Sequence, residues 1–488
     1  MSELQSFLQG KRDSGVSLIP SLHKASEVYG KLTVDVLKEV ADGLELPLSR
    51  VVAAATFYSA FNGMDDGSTD DRFLEIYTDG IHPTWFAGHP VGYIAARRVL
   101  DEKINMIDLL RQAKLRGRSG SGFPLADKWE LTVRTESDAK YIVCNGSEGE
   151  GDTYKDYFIL TEKPELVIEG MLICALTTNI SQGYLYVRAE YEKAFCSVQR
   201  AIRAAYDRGV LGYNAMESGK TFHLEAVLGG GAYVSGEETG LLEMLEGYRS
   251  EPRLKPPFPG VSGLLGKPTI INNAESFAAA AVLALHGAEE FLARGTEETG
   301  GTKLYTVTGC VRRPGVYELP HHAVVAEALK AAGGPAEGCV VKGFQIGGGA
   351  TGSFGSRELL DVVLDYGPLR SAGLSLGTAA IRFIAEDESI PHLACKSIAF
   401  LKNQSCGLCT SCRYGLSDLT NELSLLCGGQ GTLKTLAEIK SLCGYIGQTA
   451  RCALGQAAPT ALLTAIKAFP AEFEDLCGKE EPYGQYSL

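Results

Sequence analysis

Three cysteines are spaced at intervals of three residues, at Cys406, Cys409 and Cys412. This spacing lets the thiolates converge on one face of a turn that enters a helix, and a [4Fe–4S] cluster is bound by four cysteine thiolates. The fourth thiolate must come from elsewhere, and Cys452 in the segment Arg-Cys-Ala-Leu-Gly-Gln is the best candidate. The pattern therefore predicts an electron-transferring iron–sulfur site.

Zinc and disulfides are the alternative uses of these thiols. Structural zinc sites usually combine two short ligand pairs, and no second pair matches residues 406–412. A disulfide framework would leave one of the three thiols over, and the chain opens without a secretory signal pattern. Iron–sulfur chemistry is therefore preferred. The scattered cysteines are interpreted as small buried apolar residues, among them Cys144, Cys174, Cys196, Cys310 and Cys339.

The composition indicates a soluble protein of several domains. A chain of 488 residues exceeds one ordinary core, so three or four domains are expected. The net charge of −13 argues against nucleic-acid binding. No apolar run is long enough to cross a membrane, so we expect no direct membrane insertion and a cytoplasmic location.

Hydrophobic periodicity divides the chain into four parts. Helical spacing dominates residues 1–62, where one helix is predicted to end at about Pro47 and Ser49 to cap the next. From about residue 73 to 300, strand-like runs alternate with helical patterns, as in an α/β domain with a largely parallel sheet. Residues 302–375 predict a small ubiquitin-like α+β module, and helical spacing returns around the cysteines.

Loops of the α/β part suit a flat, phosphate-bearing ligand. Small residues at 116–124 and glycines at 229–231 let the backbone approach a ligand closely. Residues 144–153 follow a predicted strand, where ligand loops of α/β domains lie. In residues 251–259, prolines fix a loop with two cations and an aromatic ring, which suits a pyrophosphate and a stacked ring. Considered alone, residues 116–124 could equally form a structural turn without a ligand. Residues 144–153, considered alone, are better explained as a solvated acidic turn.

These motifs follow one another in a fixed order, as the glycine loop, Cys-Asn-Gly-Ser-Glu-Gly-Glu, Gly-Ala-Tyr-Val-Ser-Gly-Glu-Glu-Thr, Pro-Arg-Leu-Lys-Pro-Pro-Phe-Pro, Asn272-Asn273 and Ser-Cys-Gly-Leu-Cys-Thr-Ser-Cys-Arg. Over about residues 80–475 they resemble the NADH-oxidising flavoprotein subunit of respiratory complex I, which is related to subunits of NAD-linked hydrogenases, formate dehydrogenases and electron-bifurcating complexes. The resemblance implies a Rossmann-like α/β domain for FMN and NADH. It also implies a ubiquitin-like α+β domain of SLBB type and a C-terminal helical bundle holding the [4Fe–4S] cluster.

The resemblance implies the residues of the site as well. The expected FMN contacts are Gly117, Arg118, Gly120, Lys128, Asn145, Ser147, Glu148, Tyr233, Gly236, Glu237, Asn272 and Asn273. The expected NADH contacts are Phe123, Glu150, Glu238, Lys255 and Phe258, and the expected catalytic pair is Glu237 and Glu238. The expected cluster ligands are Cys406, Cys409, Cys412 and Cys452. Cys452 is preferred to its competitor Cys443 because the segment that follows it resembles the family's ligand segment.

Several positions depart from the family pattern. Ser147 stands where Asp is usual, Ser119 and Ser121 replace Gly and Ala, and Ser235 replaces a Cys. A serine hydroxyl still donates and accepts hydrogen bonds, so FMN binding is expected to survive. The flavin potential and the nucleotide preference are less safely inherited.

The N-terminal part resembles another subunit. It is similar to the N-terminal helical part of the family's thioredoxin-like [2Fe–2S] partner but lacks that partner's cysteines, so we predict a docking or scaffold element; the alternative is a chance helical hairpin. The predicted domains are the helical segment 1–66, the FMN/NADH domain 67–300, the SLBB-type domain 301–376 and the helical iron–sulfur domain 377–488.

The implied activity is a conversion of two-electron to one-electron transfer. A hydride passes between NADH and FMN, and single electrons then pass to the [4Fe–4S] cluster and on to partner subunits. In the reverse direction, electrons from a partner subunit reduce NAD⁺. The implied partners are the thioredoxin-like [2Fe–2S] subunit and further redox subunits. The alternative is a non-catalytic electron-transfer or scaffold subunit, against which the retained acids, lysine and phenylalanine of the predicted NADH site argue.

Overall fold

The structure is a computed structural model that describes residues 2–62 and 85–478. The chain divides into two compact units. Unit 1 consists of Met1–Gly149, Thr153–Thr306 and Pro314–Ala323, and unit 2 consists of Glu150–Asp152, Val307–Arg313 and Val324–Leu488. The predicted boundary between residues 66 and 67 lies outside the described residues.

The N-terminal part of unit 1 is helical, as predicted, with α1 (Glu3–Lys11), α2 (Leu18–Tyr29), α3 (Val34–Leu44), α4 (Leu48–Phe57) and α5 (Ser59–Asn62). The Thr33 hydroxyl caps α3 by accepting a hydrogen bond from the backbone N–H of Val36. The prediction that Ser49 caps the next helix is wrong, because α4 begins at Leu48 and Pro47 occupies its N-cap without a side-chain hydrogen bond. The fixed φ of Pro47 suits the entry to a helix.

The α/β part of unit 1 alternates helices and strands. The helices are α6 (Trp85–Gly88), α7 (Ile94–Asp101), α8 (Met106–Gln112), α9 (Leu125–Arg134), α10 (Lys155–Glu162), α11 (Pro164–Thr178), α12 (Glu192–Asp207), α13 (Glu238–Leu245) and α14 (Ala274–Leu292). The strands are β1 (Tyr141–Gly146), β2 (Gln182–Val187), β3 (His223–Leu228) and β4 (Thr269–Asn273). Short 3-10 turns lie at Ala215–Glu217, Tyr233–Gly236 and Leu264–Gly266.

These strands form a parallel sheet in the order β3-β2-β1-β4. Its central strand β1 is nearly continuous in buried apolar residues, as expected where helices cover both faces. The apolar helices α11 and α14 pack closely: a Cβ at Gly170 would lie 1.9 Å from the backbone oxygen of Phe277, so only glycine fits there. The α/β architecture predicted from the sequence is confirmed.

A second set of strands follows in the chain. Strand β5 (Thr302–Gly309) runs from unit 1 into unit 2, and β6 (Gly315–Pro320) lies in unit 1. Unit 2 continues with α15 (Val325–Ala331), β7 (Val341–Ile346), β8 (Ser353–Ser356), the 3-10 turn Arg357–Leu359, α16 (Tyr366–Ser371) and β9 (Ala380–Ala385). Strand β7 pairs antiparallel with β8 and with β9. Strand β9 therefore belongs to this sheet, although it lies beyond the predicted boundary at 376/377.

The remainder of unit 2 is helical, as predicted, with α17 (Ile390–Gln404), α18 (Thr410–Arg413), α19 (Gly415–Cys427), α20 (Leu433–Thr449), α21 (Ala453–Ala457), α22 (Pro459–Ala468) and α23 (Pro470–Glu474). Two predictions about cysteines are wrong. Cys310 and Cys339 form a disulfide, and Cys196 is exposed. Among residues 2–62 and 85–478, no helix is both long and apolar enough to span a membrane.

Candidate functional site

The strand ends of unit 1 bring together four of the residues predicted to contact FMN. In the register of the sheet, Asn145 at the end of β1 lies opposite Asn273 at the end of β4. The Asn145 amide donates to the backbone oxygen of Gly236 at 2.9 Å and accepts from the backbone N–H of Ser147 at 3.0 Å. The amide of Asn273 donates to the backbone oxygen of Asn145 at 3.2 Å. The carboxyl ends of parallel strands are where α/β folds bind ligands.

The glycine loop before α9 turns tightly beside these strand ends. The backbone N–H of Gly117 donates to the backbone oxygen of Phe123 at 2.9 Å, which closes the loop. Gly120 and Gly122 adopt φ values of 142° and 63°, which favour glycine. Arg118 is fully buried and its guanidinium donates to the backbone oxygen of Gly300 at 3.0 Å, so its side chain anchors the loop from inside.

The two acids after the 3-10 turn have different roles. Glu237 is the N-cap of α13, and one of its carboxylate oxygens accepts from the backbone N–H groups of Thr239 and Gly240 at 2.8 and 2.9 Å. Its other oxygen lies 3.0 Å from the ammonium of Lys255. Glu237 therefore holds the turn and the loop that carries Lys255 together.

Glu238 bridges two lysines. Its carboxylate oxygens lie 3.0 Å from the Lys255 ammonium and 3.5 Å from the Lys128 ammonium. Burial opposes ionisation of Glu238, but the positive charges of Lys128 and Lys255 outweigh it and hold the pKa of this carboxyl below its ordinary value. The structure therefore joins two predicted NADH residues to Lys128, a predicted FMN residue, in one chain of charges.

Two aromatic rings on the loops of unit 1 face solvent. Phe123 is 50% exposed and Phe258 is 53% exposed, although rings of this size are usually buried. The loop of Phe258 contains cis peptide bonds at Lys255-Pro256 and Pro256-Pro257. Exposed phenylalanine faces are suited to stacking on the planar rings of a ligand.

Asn272 and Tyr233 are two further residues predicted to contact FMN. With its amide oriented to satisfy its neighbours, Asn272 donates to the backbone oxygen of Ile271 at 3.0 Å and accepts from the Trp129 indole at 2.8 Å. Tyr233 is half-buried in the 3-10 turn, and a Cβ on Gly149 would lie 2.8 Å from its ring. Both residues therefore lie in tightly packed surroundings.

A buried lysine that the sequence did not single out supports the glycine loop. The ammonium of Lys303 donates to the backbone oxygen of Arg118 at 2.7 Å and lies 3.2 Å from the carboxylate of Glu275. Burial lowers the pKa of Lys303 to about 7. Burial disfavours the Glu275 carboxylate as well, but the nearby cations, of which Lys303 is the strongest, lower its pKa below the ordinary value.

A second buried lysine holds the end of β4. Lys155 donates to Asp156 at 2.7 Å and to the amide oxygen of Asn273 at 3.1 Å, and it lies 3.2 Å from Glu275. The amide of Asn273 donates in turn to Asp156 at 2.5 Å. Ion pairs of this kind stay stable in a protein interior only when their hydrogen bonds are satisfied, so this network fixes the Asn273 side chain.

Glu148 is buried beside the predicted flavin residues. Its carboxylate oxygens accept from the backbone N–H groups of Asp156 and Tyr157 at 2.9 and 3.0 Å, and from the Tyr191 hydroxyl at 3.3 Å. Burial raises the pKa of Glu148 to about 7. Its carboxylate thus holds the start of α10, and its predicted contact with FMN stays a prediction.

Glu150 belongs to unit 2. One of its carboxylate oxygens accepts from the backbone N–H groups of Ala350 and Thr351 at 2.9 and 2.6 Å and from the Thr351 hydroxyl at 3.1 Å. A Cβ on Gly348 would overlap this side chain, so a glycine is needed at that position. Contact of Glu150 with NADH stays a prediction.

The N-terminal helical segment braces the glycines that follow β3. The backbone N–H groups of Ser59 and Ala60 donate to the backbone oxygens of Gly231 and Gly230 at 3.1 and 3.0 Å. The Tyr58 ring lies where a Cβ on Gly230 would be, 2.4 Å from the nearest ring atom. The sequence suggested a docking element here, and within unit 1 the segment packs on one loop of the predicted site.

Ser235, which stands where the family has a cysteine, is fully buried near Tyr58. Its hydroxyl lies 2.7 Å from that of Ser250, which lies 3.1 Å from the Tyr58 hydroxyl. Tyr58 also donates to the backbone oxygen of Tyr248 at 2.5 Å. A serine fits this position because its buried hydroxyl has the Ser250 hydroxyl as a hydrogen-bond partner.

Three of the four predicted cluster ligands interact with one another in unit 2. Cys409 is the N-cap of α18 and Cys452 is the N-cap of α21, so both begin short helices. Burial, and then the nearby Cys409 and Cys452 sulfurs, raise the pKa of Cys412 to about 12. The Cys412 sulfur would lie 2.5 Å from a Cβ on Gly455, so a glycine is needed to admit it.

Cys443 lies apart from this group. It is buried in α20, only 1% exposed, and burial alone raises its pKa to about 12. Within the described residues, no three or more His, Cys, Asp or Glu side chains are arranged to hold a single metal ion. A [4Fe–4S] cluster binds each thiolate to a different iron atom, so its four cysteines need not meet at one point.

The residues at the strand ends fit FMN by their chemistry. Amides and hydroxyls there can bond polar ring atoms and ribityl hydroxyls, and Lys128 supplies a cation. The three glycines of the loop at residues 116–124 leave backbone positions without Cβ atoms, which a ligand can approach closely. The sequence missed the buried lysines Lys155 and Lys303, because isolated lysines in a sequence carry no sign of burial. It also missed Tyr58, whose partners lie far away in the chain.

Comparisons with known families agree with this geometry. The family model for the Nuo51 FMN-binding domain matches residues 110–282, and that for the NADH-ubiquinone oxidoreductase-F iron–sulfur binding region matches residues 392–476. The SLBB domain model matches residues 304–351, and the model for the thioredoxin-like [2Fe–2S] ferredoxin matches residues 4–70.

Individual proteins are similar to this chain in sequence and in fold. An NADH-quinone oxidoreductase F subunit of Rhizobium meliloti is 39% identical over 385 residues, which cover 78% of this chain and 91% of that protein. The NADP-reducing hydrogenase subunit HndC of Solidesulfovibrio fructosivorans is 36% identical, over 78% of both chains. A chain in the crystal structure of the NAD⁺-reducing [NiFe]-hydrogenase in its H₂-reduced state has the same fold, with a TM-score of 0.84, 23% identity, and coverage of 96% of this chain and 94% of that one.

The predicted fold class, the cofactors FMN, NAD(H) and a [4Fe–4S] cluster, and the oxidoreductase class are thereby confirmed. The chain belongs to the family of NADH-quinone oxidoreductase F subunits, the NADH-oxidising flavoprotein subunits of larger redox complexes.

Proposed function

We propose that this chain binds FMN at the carboxyl ends of β1 and β4 and NADH beside the Glu238–Lys255 pair. It exchanges reducing equivalents between NAD(H) and partner subunits through a [4Fe–4S] cluster held by Cys406, Cys409, Cys412 and Cys452. The observation that carries this proposal is the chain of charges in which Glu238 links Lys128 to Lys255. It joins residues expected on the flavin to residues expected on the nucleotide.

Each part of this site has a task that its geometry supports. Asn145 and Asn273 are held by hydrogen bonds at adjacent strand ends, so they offer fixed polar groups to the flavin. Lys255 carries a positive charge suited to the dinucleotide, and Phe258 offers an exposed ring to stack against it. FMN, when bound, supplies the chemistry that accepts a hydride and releases electrons singly. The chain binds and orients the two ring systems.

The Glu238 carboxylate is proposed to select NADH over NADPH. A carboxylate accepts hydrogen bonds from ribose hydroxyls, whereas the 2′-phosphate of NADPH would meet a like charge. One relative is described as an NADP-reducing hydrogenase subunit, so nucleotide preference differs within the family and must rest on the residues of each chain.

The proposed partners are redox subunits of a larger complex. The curated relatives are subunits of NADH-quinone oxidoreductases and of a hydrogenase, so we propose a thioredoxin-like [2Fe–2S] subunit and further redox subunits as partners. The described residues of the N-terminal segment contain no cysteine, so they supply no ligand for a cluster of their own. We propose that this chain is located in the cytoplasm, as part of a larger complex.

The competing function is a non-catalytic subunit that keeps the fold and the cluster without binding nucleotide. The paired lysines and acids disfavour it, since a scaffold has no need for Lys255 and Glu238 beside an exposed ring. Purified chain should contain FMN and reduce a soluble artificial electron acceptor with NADH. Protein with a full iron content but without FMN or NADH-dependent acceptor reduction would establish the scaffold function instead.

A further inference from the structure

Two cysteines outside the predicted cluster ligands have adjacent sulfurs. Cys395 in α17 and Cys427 at the end of α19 lie in neighbouring helices of unit 2, with their Sγ atoms 2.9 Å apart. Both side chains are partly exposed. The backbone oxygen of Leu423, one helical turn before Cys427 in α19, lies 3.9 Å from the Cys395 sulfur. A pair of accessible thiols at this separation needs only a small movement to form a bond.

The position of this pair in the chain gives it a consequence. Helix α17 ends at Gln404, just before the segment that carries Cys406, Cys409 and Cys412, and α19 begins at Gly415, just after it. A bond between Cys395 and Cys427 would therefore close a ring that contains three of the predicted cluster ligands. It would also fix the two helices that flank the ligand segment to each other.

The two thiols are not equivalent. The hydrogen bond between them lowers the pKa of Cys427 below its ordinary value and raises that of Cys395. The thiolate is the reactive form in thiol–disulfide exchange. Cys427 is thus suited to attack, and Cys395 is suited to follow as the resolving thiol.

We propose that Cys395 and Cys427 form a reversible dithiol–disulfide site that small-molecule disulfides oxidise. The Cys427 thiolate attacks one sulfur of the small disulfide, which forms a mixed disulfide and releases one thiolate. Cys395 then attacks the Cys427 sulfur, loses its proton and displaces the second small thiol. The protein dithiol is oxidised by two electrons, and one small disulfide is reduced to two thiols.

The test uses the full chain with its cofactors, equilibrated without oxygen in mixtures of glutathione and glutathione disulfide, then alkylated, digested and analysed by mass spectrometry. The expected result is the loss of two alkylatable thiols, with one linked peptide pair, in addition to the Cys310–Cys339 pair, that joins Cys395 to Cys427 and separates again on reduction. The exposed Cys196 serves as internal control and is expected to form no internal link.

Single variants separate the two roles. In Cys395→Ser, Cys427 lacks its resolving thiol and should accumulate as a mixed disulfide with glutathione. In Cys427→Ser, Cys395 should remain largely alkylatable. A wild-type chain in which Cys427 stays as the mixed disulfide, or in which either cysteine links to one of the predicted cluster ligands, would overturn the proposal. The wild-type measurement is decisive even if a variant fails to fold.

Discussion

Lys255 and Glu238 form an ion pair, with the ammonium nitrogen 3.0 Å from a carboxylate oxygen. Glu238 is the first residue of α13 and Lys255 lies in the loop that follows this helix, so the ion pair fixes the position of a flexible lysine side chain. Lys128 lies on the other side of the same carboxylate. Glu238 is therefore held between two cations, and its charge is fixed at the place where we expect the nucleotide.

Replacing Lys255 with alanine tests the assignment of its loop. Lys255→Ala removes one charge-assisted contact to the dinucleotide, typically worth about 1.5–3 kcal/mol. The dissociation constant for NADH should therefore rise on the order of 10- to 100-fold, with unchanged flavin content. Lys267→Ala, which removes a lysine paired with Asp138, is the control. Loss of FMN with unchanged NADH affinity would show that the loop serves the flavin.

Glu238 should set the preference between the two nicotinamide nucleotides. We expect a much higher kcat/KM for NADH than for NADPH with an artificial acceptor. Glu238→Gln should narrow the difference, because the like-charge repulsion of the 2′-phosphate is removed. Since neighbouring lysines hold the pKa of Glu238 below its ordinary value, this carboxylate is charged at neutral pH, where the two nucleotides are to be compared. Equal kcat/KM for both nucleotides in the wild-type chain would refute this role.

Glu318 should make stability depend on pH. It is 5% exposed, accepts from the Thr302 hydroxyl at 2.6 Å and from the backbone N–H of Phe86 at 3.1 Å, and burial raises its pKa to about 7. A folded-state pKa above the unfolded value means that the folded chain keeps a proton that the unfolded chain has released. The contribution of Glu318 is therefore present at low pH and is lost as pH rises through about 7.

The variant Glu318→Gln isolates this effect. Its amide oxygen can accept from Phe86 while its amino group donates to the Thr302 hydroxyl, so the hydrogen bonds are kept. Relative to this variant, the wild-type chain should lose at most about 3 kcal/mol of unfolding free energy as pH rises from about 4.5 to about 7. Thermal unfolding of both chains across this range measures it, with the exposed Glu102→Gln as control. A constant difference between wild type and Glu318→Gln would contradict the assignment.

The fourth cluster ligand can be identified by iron content. Cys452 begins α21 near Cys412, whereas Cys443 is buried in α20, so Cys443→Ser should keep about four irons per chain and Cys452→Ser should lose the intact cluster. Iron and sulfide analysis of both variants measures this. The reverse pattern would make Cys443 the ligand.

The sequence was most informative where function requires particular residues in a fixed order. The glycine loop, the paired acids and the triple cysteine pointed to the family, and the strand-like runs predicted between helical patterns correspond to strands of the parallel sheet, among them β1 and β2. Such patterns are local, since a strand or a loop shows its chemistry within a few residues.

Features that depend on distant contacts were not predictable from the sequence. Burial of Lys303 arises from Glu275 and the backbone of Arg118, which lie far from it in the chain. The Cys310–Cys339 disulfide arises from the folding of unit 2 in the same way. Ser49 was a reasonable helix cap by residue type, but Pro47 occupies the N-cap and α4 begins at Leu48, two residues before the helix that Ser49 would cap. The capping preference of a serine did not determine where this helix begins.

The central claim is that NADH reduces a flavin bound to this chain. An anaerobic titration of the purified protein with NADH, followed by the flavin absorbance, measures this directly. We expect bound FMN whose absorbance is bleached by NADH, with Lys255→Ala requiring more NADH for the same bleaching and Lys267→Ala behaving as the wild type. A flavin that is present but keeps its absorbance in excess NADH would contradict the account.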